Sequence, residues 1–178
     1  MLFGPRGSGR ARMTRRPMFR PIEVGQPAPD FRLKGPGGQF VTLSEHRGRR
    51  HVVLVFFPLA FSPVCSHQLP GVQRALPRFE ALEATVYGIS VDSHYANEAF
   101  ARSLGLSFDL LSDFRRQTAA AYGVLLEEAG FSGRATFVVD KQGRIAWREV
   151  SPDLGDLEQA PSNERALQAL EALRGQPA

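Results

Sequence analysis

The sequence predicts an α/β fold with a mixed central sheet flanked by helices, and three observations carry that prediction. Residues 51–57 form an unbroken apolar run, rich in β-branched and aromatic side chains and ended by Pro58, which reads as a strand buried on both faces. Helical spacing of Leu69, Val72, Leu76 and Phe79 follows, then a second apolar run over 85–91, so the two strands are joined by a helical crossover and lie parallel. Near the other end, 136–139 and 144–150 flank Asp140, Lys141, Gln142 and Gly143, turn residues at hairpin length. That pair is antiparallel, which makes the sheet mixed.

The remaining elements follow in order. Residues 1–21 are rich in Gly, Arg and Pro and carry too little apolar surface to offset their ordering entropy. They are expected to be a disordered basic extension ahead of one domain over 22–176. A tether to nucleic acid or acidic lipid, a solvated tail, and a start at Met13 or Met18 all fit this composition. Pro27, Pro29 and residues 35–38 mark a turn-rich entry, 39–43 a short strand alternating about Phe40 and Thr42, and Ser44 caps a single helical turn before Gly48. Pro70 and Pro77 interrupt the N–H ladder of the first long helix, so a kink is expected there. Ser93 is the N-cap of a helix over 94–104 closed by Gly105. Residues 110–113 form a short strand and 118–122 a short helix stopped by Gly123. A polar loop spans 152–161, and Asn163 caps a last helix with Ala166, Leu167, Leu170 and Leu173 in one apolar stripe.

At 178 residues, 43% hydrophobic and 22% charged, the composition is that of a single soluble globular domain. The only cysteine, Cys65, excludes an intrachain disulfide, a C-x-x-C redox pair and a cysteine-rich zinc site. No apolar stretch approaches the roughly 18 residues of a membrane span, and the N-terminus has no apolar signal core, so a cytoplasmic protein without a membrane partner is expected. The net charge of +4 suggests a nucleic-acid binder until the charges are placed. Six of the 22 basic residues, and no acid, lie in residues 1–22; the other 16 face 18 acids, a net of −2. The domain itself is not basic, and no nucleic-acid partner is assigned.

Cys65 follows the central strand and opens the helical stretch, so it sits at a strand-to-helix junction where unpaired N–H groups and the helix dipole favour a thiolate. The spacing Pro58-x-x-x-Ser62-x-x-Cys65, the opening Val24-Gly25-Gln26-Pro27-Ala28-Pro29-Asp30-Phe31 and the segment Arg134-Ala135-Thr136-Phe137-Val138-Val139-Asp140 together resemble the peroxiredoxins, thiol peroxidases with a thioredoxin-like fold. The resemblance covers about 24–150. Within that family, Phe57-Pro58-Leu59-Ala60-Phe61-Ser62, Leu110-Leu111-Ser112-Asp113-Phe114 and Ala121-Tyr122-Gly123-Val124 are most similar to the one-cysteine alkyl hydroperoxide reductase E group.

The resemblance implies that the Cys65 thiolate attacks one oxygen of hydrogen peroxide or an organic hydroperoxide and becomes a sulfenic acid, releasing water or an alcohol. Pro58 would shield the sulfur, Ser62 would hydrogen-bond the peroxide, and Arg134 would touch both sulfur and substrate. No metal and no cofactor is implied. An external low-molecular-weight thiol, or a glutaredoxin- or thioredoxin-like protein, would be the reductant, and a homodimer is the favoured assembly. Ionising the thiol cannot be the whole mechanism. Lowering a free thiol from about 8.5 by about two pH units raises the thiolate fraction at pH 7 roughly 25-fold. A Brønsted slope of about 0.4 to 0.5 then takes back roughly six- to tenfold in nucleophilicity. The breaking O–O bond must itself be stabilised, which a guanidinium fork and a hydroxyl can do.

Each residue also has a plainer reading. Cys65 alone could be an inert buried thiol, Ser62 a turn or capping hydroxyl, Arg134 a solvated loop residue, and His67 a helix-surface residue rather than a zinc ligand or the base of a cysteine hydrolase. Gln68 departs from the family pattern: the position three after the cysteine is often glutamate, which can pair with active-site arginines. Another cysteine-dependent enzyme and a thioredoxin-fold binding module are the rival functions.

Overall fold

The structure is a computed structural model that describes residues 19–175. The basic extension therefore lies outside the described residues as far as position 18, as do 176–178 at the end of the domain. In chain order the elements are β1 (Arg32–Lys34), β2 (Phe40–Thr42), β3 (His51–Phe56), α1 (Pro63–Ala81), β4 (Ala84–Ser90), α2 (His94–Leu104), β5 (Asp109–Ser112), α3 (Gln117–Ala121), β6 (Leu125–Leu126), β7 (Phe131–Ser132), β8 (Ala135–Val139), β9 (Ile145–Val150) and α4 (Asn163–Ala172). Seven strands form one mixed sheet in the order β2-β1-β5-β4-β3-β8-β9, while β6 and β7 pair separately.

Every residue of β3 is buried, as its continuous apolar run requires. It lies parallel to β4 and antiparallel to β8, so Val53 stands opposite Val86 on one side and Val138 on the other. The two faces of β3 enter different cores. Val53 and Val55 join Leu69, Val72, Leu76 and Phe79 of α1, Phe100 of α2, and Ala166, Leu167 and Leu170 of α4. Val52, Leu54 and Phe56 face Phe31, Leu43, Ala119, Tyr122 and Val124. The parallel steps β3 to β4 to β5 thus carry both crossover helices on one face, leaving the carboxyl ends of three adjacent strands along one edge. The hairpin β8–β9 is antiparallel as expected, with a register irregularity between Val138 and Val139.

Local signals place α2 well: Ser93 Oγ accepts from Ala96 N at 3.2 Å, and Gly105 closes the helix in the left-handed region at φ 66°. Elsewhere the structure corrects the sequence reading. The first long helix begins at Pro63, two residues before Cys65, and runs as one α-helix with Pro70 and Pro77 inside. The last helix is capped by Ser162, whose extended backbone lets Oγ accept from Arg165 N at 3.2 Å, while Asn163 is already helical. The 3₁₀ turn Leu43–His46 has Thr42, not Ser44, in the cap position. Strand β1 was not foreseen; three residues with charged ends carry no readable period, and pairing with β2 and β5 makes the strand. Composition drew the domain boundary at Ile22, but the chain is seated from Phe19: its ring packs on the second core, Arg20 N donates to Gly123 O at 3.2 Å, and Ile22 N to Tyr122 O at 3.3 Å.

Glu149 on β9 ties down α4, accepting from Ser162 N at 3.2 Å and from Arg165 Nε at 2.7 Å. The hydrogen bond from Arg165, more than any other cause, holds its carboxyl below the ordinary value of 4.5. A depressed carboxylate contributes stability that is present above its unfolded value and lost as pH falls through the folded one. The fall in melting temperature between about pH 5 and pH 2 is therefore expected to be smaller in Glu149→Gln than in the unaltered protein, and an equal fall in both would refute the tie.

Candidate active site

Strand β3 ends at Phe56, although Phe57 N still donates to Ile89 O at 3.0 Å, and the buried Pro58 can add no further ladder bond. The loop that follows is tightly held. Ala60 N donates to Asp92 Oδ2 at 2.8 Å, Ser62 N to Leu59 O at 3.4 Å, and Phe61 adopts φ 64°. A left-handed conformation is strained for a bulky residue, at roughly 1–3 kcal/mol. Contact with Phe100, ring centroids 5.0 Å apart, helps hold it there.

Ser62 occupies the N-cap position of α1, yet its side chain makes no capping bond. Its Oγ is instead one of four buried side-chain polar atoms without a partner among the described residues, so it does not act as a capping hydroxyl. Pro63 at N1 has no N–H, and the N–H groups of Val64 and Cys65 in this first turn receive no side-chain cap from Ser62. Cys65 is wholly buried and stands at the positive end of a 19-residue helix.

Arg134 directly precedes β8 and is only 2% exposed. Three bonds fix its guanidinium. Nη1 donates to Cys65 Sγ at 3.1 Å and to Gln68 Oε1 at 2.6 Å, and Nη2 donates to Leu154 O at 3.0 Å. Nε has no partner among the described residues, a second unused buried donor beside Ser62 Oγ. No carboxylate pairs with this guanidinium among the described residues; the acceptors are a sulfur, an amide and a backbone carbonyl. A full positive charge with an N–H aimed at the sulfur is the arrangement that supports an attacking thiolate.

Of the residues singled out in the sequence, Cys65 and Arg134 are in direct contact, Ser62 sits one turn before Cys65, and Pro58 lies buried at the end of the strand leading to them. His67 is exposed on α1 and takes no part. Gln68, singled out in the sequence as an amide where glutamate is common, is a partner of the arginine all the same; its spacing of three from Cys65 puts both on one side of α1. Leu154 was passed over inside the loop 152–161. It acts through its carbonyl, for which no side-chain pattern exists.

The fold and this cysteine–arginine pair define a thiol-dependent peroxidase. The AhpC/TSA family model matches residues 24–148, and the chain belongs to that family. It is a peroxiredoxin of the one-cysteine type. It is 43% identical over 131 residues to alkyl hydroperoxide reductase E of Mycobacterium tuberculosis, covering 72% of this chain and 86% of that one. It is 35% identical over 137 residues to peroxiredoxin Bcp of Bacillus subtilis, covering 72% and 87%. Among solved structures, the reduced 2-Cys peroxiredoxin of Plasmodium vivax superposes with a TM-score of 0.77 at 28% identity over 86% of this chain and 83% of that one. Peroxidoxin BcpB of Mycobacterium tuberculosis gives 0.75 at 28% identity over 86% and 99%.

Gln68→Met keeps the length of the side chain but removes the acceptor for Nη1. It is expected to slow oxidation of Cys65 by hydrogen peroxide about tenfold, because misplacing a reacting group by a fraction of an ångström is costly. An unchanged rate in stopped flow would mean that Cys65 and Leu154 hold the guanidinium unaided.

Proposed function

We propose that Cys65 reduces hydrogen peroxide and organic hydroperoxides with Arg134, Ser62 and Pro58 as its supporting groups, and that an external thiol restores it. The observation that carries this reading is the 3.1 Å bond from Arg134 Nη1 to the buried Cys65 Sγ. The thiolate attacks one peroxide oxygen, the S–O bond forms as the O–O bond breaks, and the departing oxygen leaves with a proton as water or an alcohol. Sulfur is oxidised by two electrons and the peroxide reduced by two. Ser62 Oγ and Arg134 Nε, buried and without a partner among the described residues, offer hydrogen bonds to a two-oxygen substrate, and Pro58 keeps bulk water from the sulfur.

With no second cysteine in the chain, the sulfenic acid meets no resolving thiol in its own molecule or an identical one. A low-molecular-weight thiol or a redoxin attacks it, giving a mixed disulfide and water, and a second thiol opens that disulfide. We place this cycle in the cytoplasm, where thiols are abundant; no helix among the described residues is long and apolar enough to cross a membrane. A homodimer is supported by large apolar side chains exposed at the carboxyl ends of adjacent strands: Leu59 and Phe61 after β3, Tyr95 after β4 and Phe114 after β5. Sedimentation of the unaltered protein as a dimer, and of Tyr95→Glu/Phe114→Glu as a monomer, is the expected result; a unaltered protein that stays monomeric refutes it.

Mass spectrometry after peroxide treatment tests the cycle. With a small thiol present, one adduct of that thiol on Cys65 is expected; without it, excess peroxide adds two oxygens, about 32 Da, as sulfinic acid. Cys65→Ser should keep less than about 1% of the peroxide rate, since the covalent route is lost altogether. A covalent dimer as the main oxidised product would overturn the external-thiol cycle.

A further inference from the structure

We propose that Phe19, ahead of the domain boundary that composition suggests, is a positioning residue for Arg134. The inference rests on the role given to Arg134 above. Phe19 is seated against Gly133, the residue immediately before the arginine: a Cβ at Gly133 would collide with Phe19 Cζ and lie 2.7 Å from Cε1. The ring thus occupies the space a side chain would need, and Gly133 is a notch cut for it. A second close approach fixes the same strand of chain. A Cβ at Gly123, where φ is +74°, would collide with Arg20 O, and Arg20 N donates to Gly123 O at 3.2 Å.

These contacts form a stack with Arg134 at its end. Residues 20–22 bond to 122–123, and Gly133 N donates to Val124 O at 2.8 Å, so the N-terminal segment, 122–124 and 133 lie side by side. Ser132 Oγ donates to Phe57 O at 3.2 Å, tying the next position back to the residue before Pro58. From there Arg134 sends its guanidinium to Cys65, while its own carbonyl accepts from Ser151 N at 2.8 Å. Backbone bonds tie Gly133 to Val124 and Arg134 to Ser151; the ring of Phe19 fills the space at Gly133 where no side chain exists to do so. Removing the ring leaves the glycine held by hydrogen bonds alone, with room to shift into the vacated space and carry the arginine with it.

The test is stopped-flow oxidation of the full-length protein by hydrogen peroxide, in a double-mutant cycle with Arg134→Met. Phe19→Ala is expected to slow oxidation about tenfold, the scale set by sub-ångström misplacement of a reacting group. Phe19→Leu, which still fills the notch, should retain most of the rate. In the Arg134→Met background, Phe19→Ala should cause no further loss, because the ring acts only through the arginine. Phe19→Val supplies the same comparison, with a smaller loss, if Phe19→Ala does not fold. A full rate in Phe19→Ala, or the same loss in both backgrounds, overturns the inference while leaving Arg134 in its role. A full rate in Arg134→Met would remove the arginine's role and this inference together.

Discussion

A guanidinium removed from water is the constraint around which the site is built. Burying such a charge costs several kcal/mol unless its donors are satisfied, and Arg134 is 2% exposed without a carboxylate partner among the described residues. Among the described residues, the sulfur of Cys65 is the one hydrogen-bond partner of the guanidinium that belongs to an ionisable group. Gln68 and Leu154 O satisfy further N–H groups with dipoles alone, so they orient the fork without competing for its charge. A glutamate in place of Gln68 would neutralise the guanidinium; the amide accepts its hydrogen bond and leaves the charge in place.

Bringing these groups together depends on the sheet. Cys65 and Arg134 are 69 positions apart in sequence, and they meet because β3 and β8 are antiparallel neighbours: Phe56 at the end of one strand pairs with Ala135 at the start of the other. The chain leaves β3 and enters β8 at the same edge. The loop between β3 and α1 then has to turn sharply, and the left-handed Phe61 and the bond from Ala60 N to Asp92 accomplish that turn. The carboxyl-edge placement follows from parallel β3, β4 and β5, whose ends provide Phe57, Asp92 and Asp113 in sequence order. Asp113 accepts from Thr118 N and Ala119 N at 3.0 and 2.7 Å, which anchors the start of α3; burial nevertheless raises its carboxyl above the ordinary range.

Much of this was legible in the sequence because it is written in local patterns. The unbroken apolar run of β3, the Ser93 cap and Gly105 stop of α2, and the turn residues 140–143 between β8 and β9 each carry a signal within a few residues. The contact between Cys65 and Arg134 is not local, and only the joint occurrence of two motifs made it readable. What escaped lacks a side-chain signature. Arg32, Leu33 and Lys34 become a strand only by pairing with their neighbours. Phe19 lies in a stretch whose average composition is that of a tail, yet one ring fitting one glycine outweighs the average. Pro70 and Pro77 interrupt the N–H ladder, yet the packing of Leu69, Val72, Leu76 and Phe79 on the sheet offsets the lost bonds and α1 continues through both.

The grip of Leu154 on the arginine has a consequence for how such a site changes over time. A main-chain oxygen belongs to every amino acid, so residue 154 can be exchanged freely so long as the chain keeps its course. Ser151 sets that course, its Oγ donating to Asp153 O at 2.6 Å while its N bonds back to Arg134 O. The anchor is therefore blind to the identity of the residue that supplies it and sensitive to the number of residues around it. Insertions and deletions near 151–156, rather than substitutions at 154, are where this protein's lineage would be able to loosen or retune its arginine.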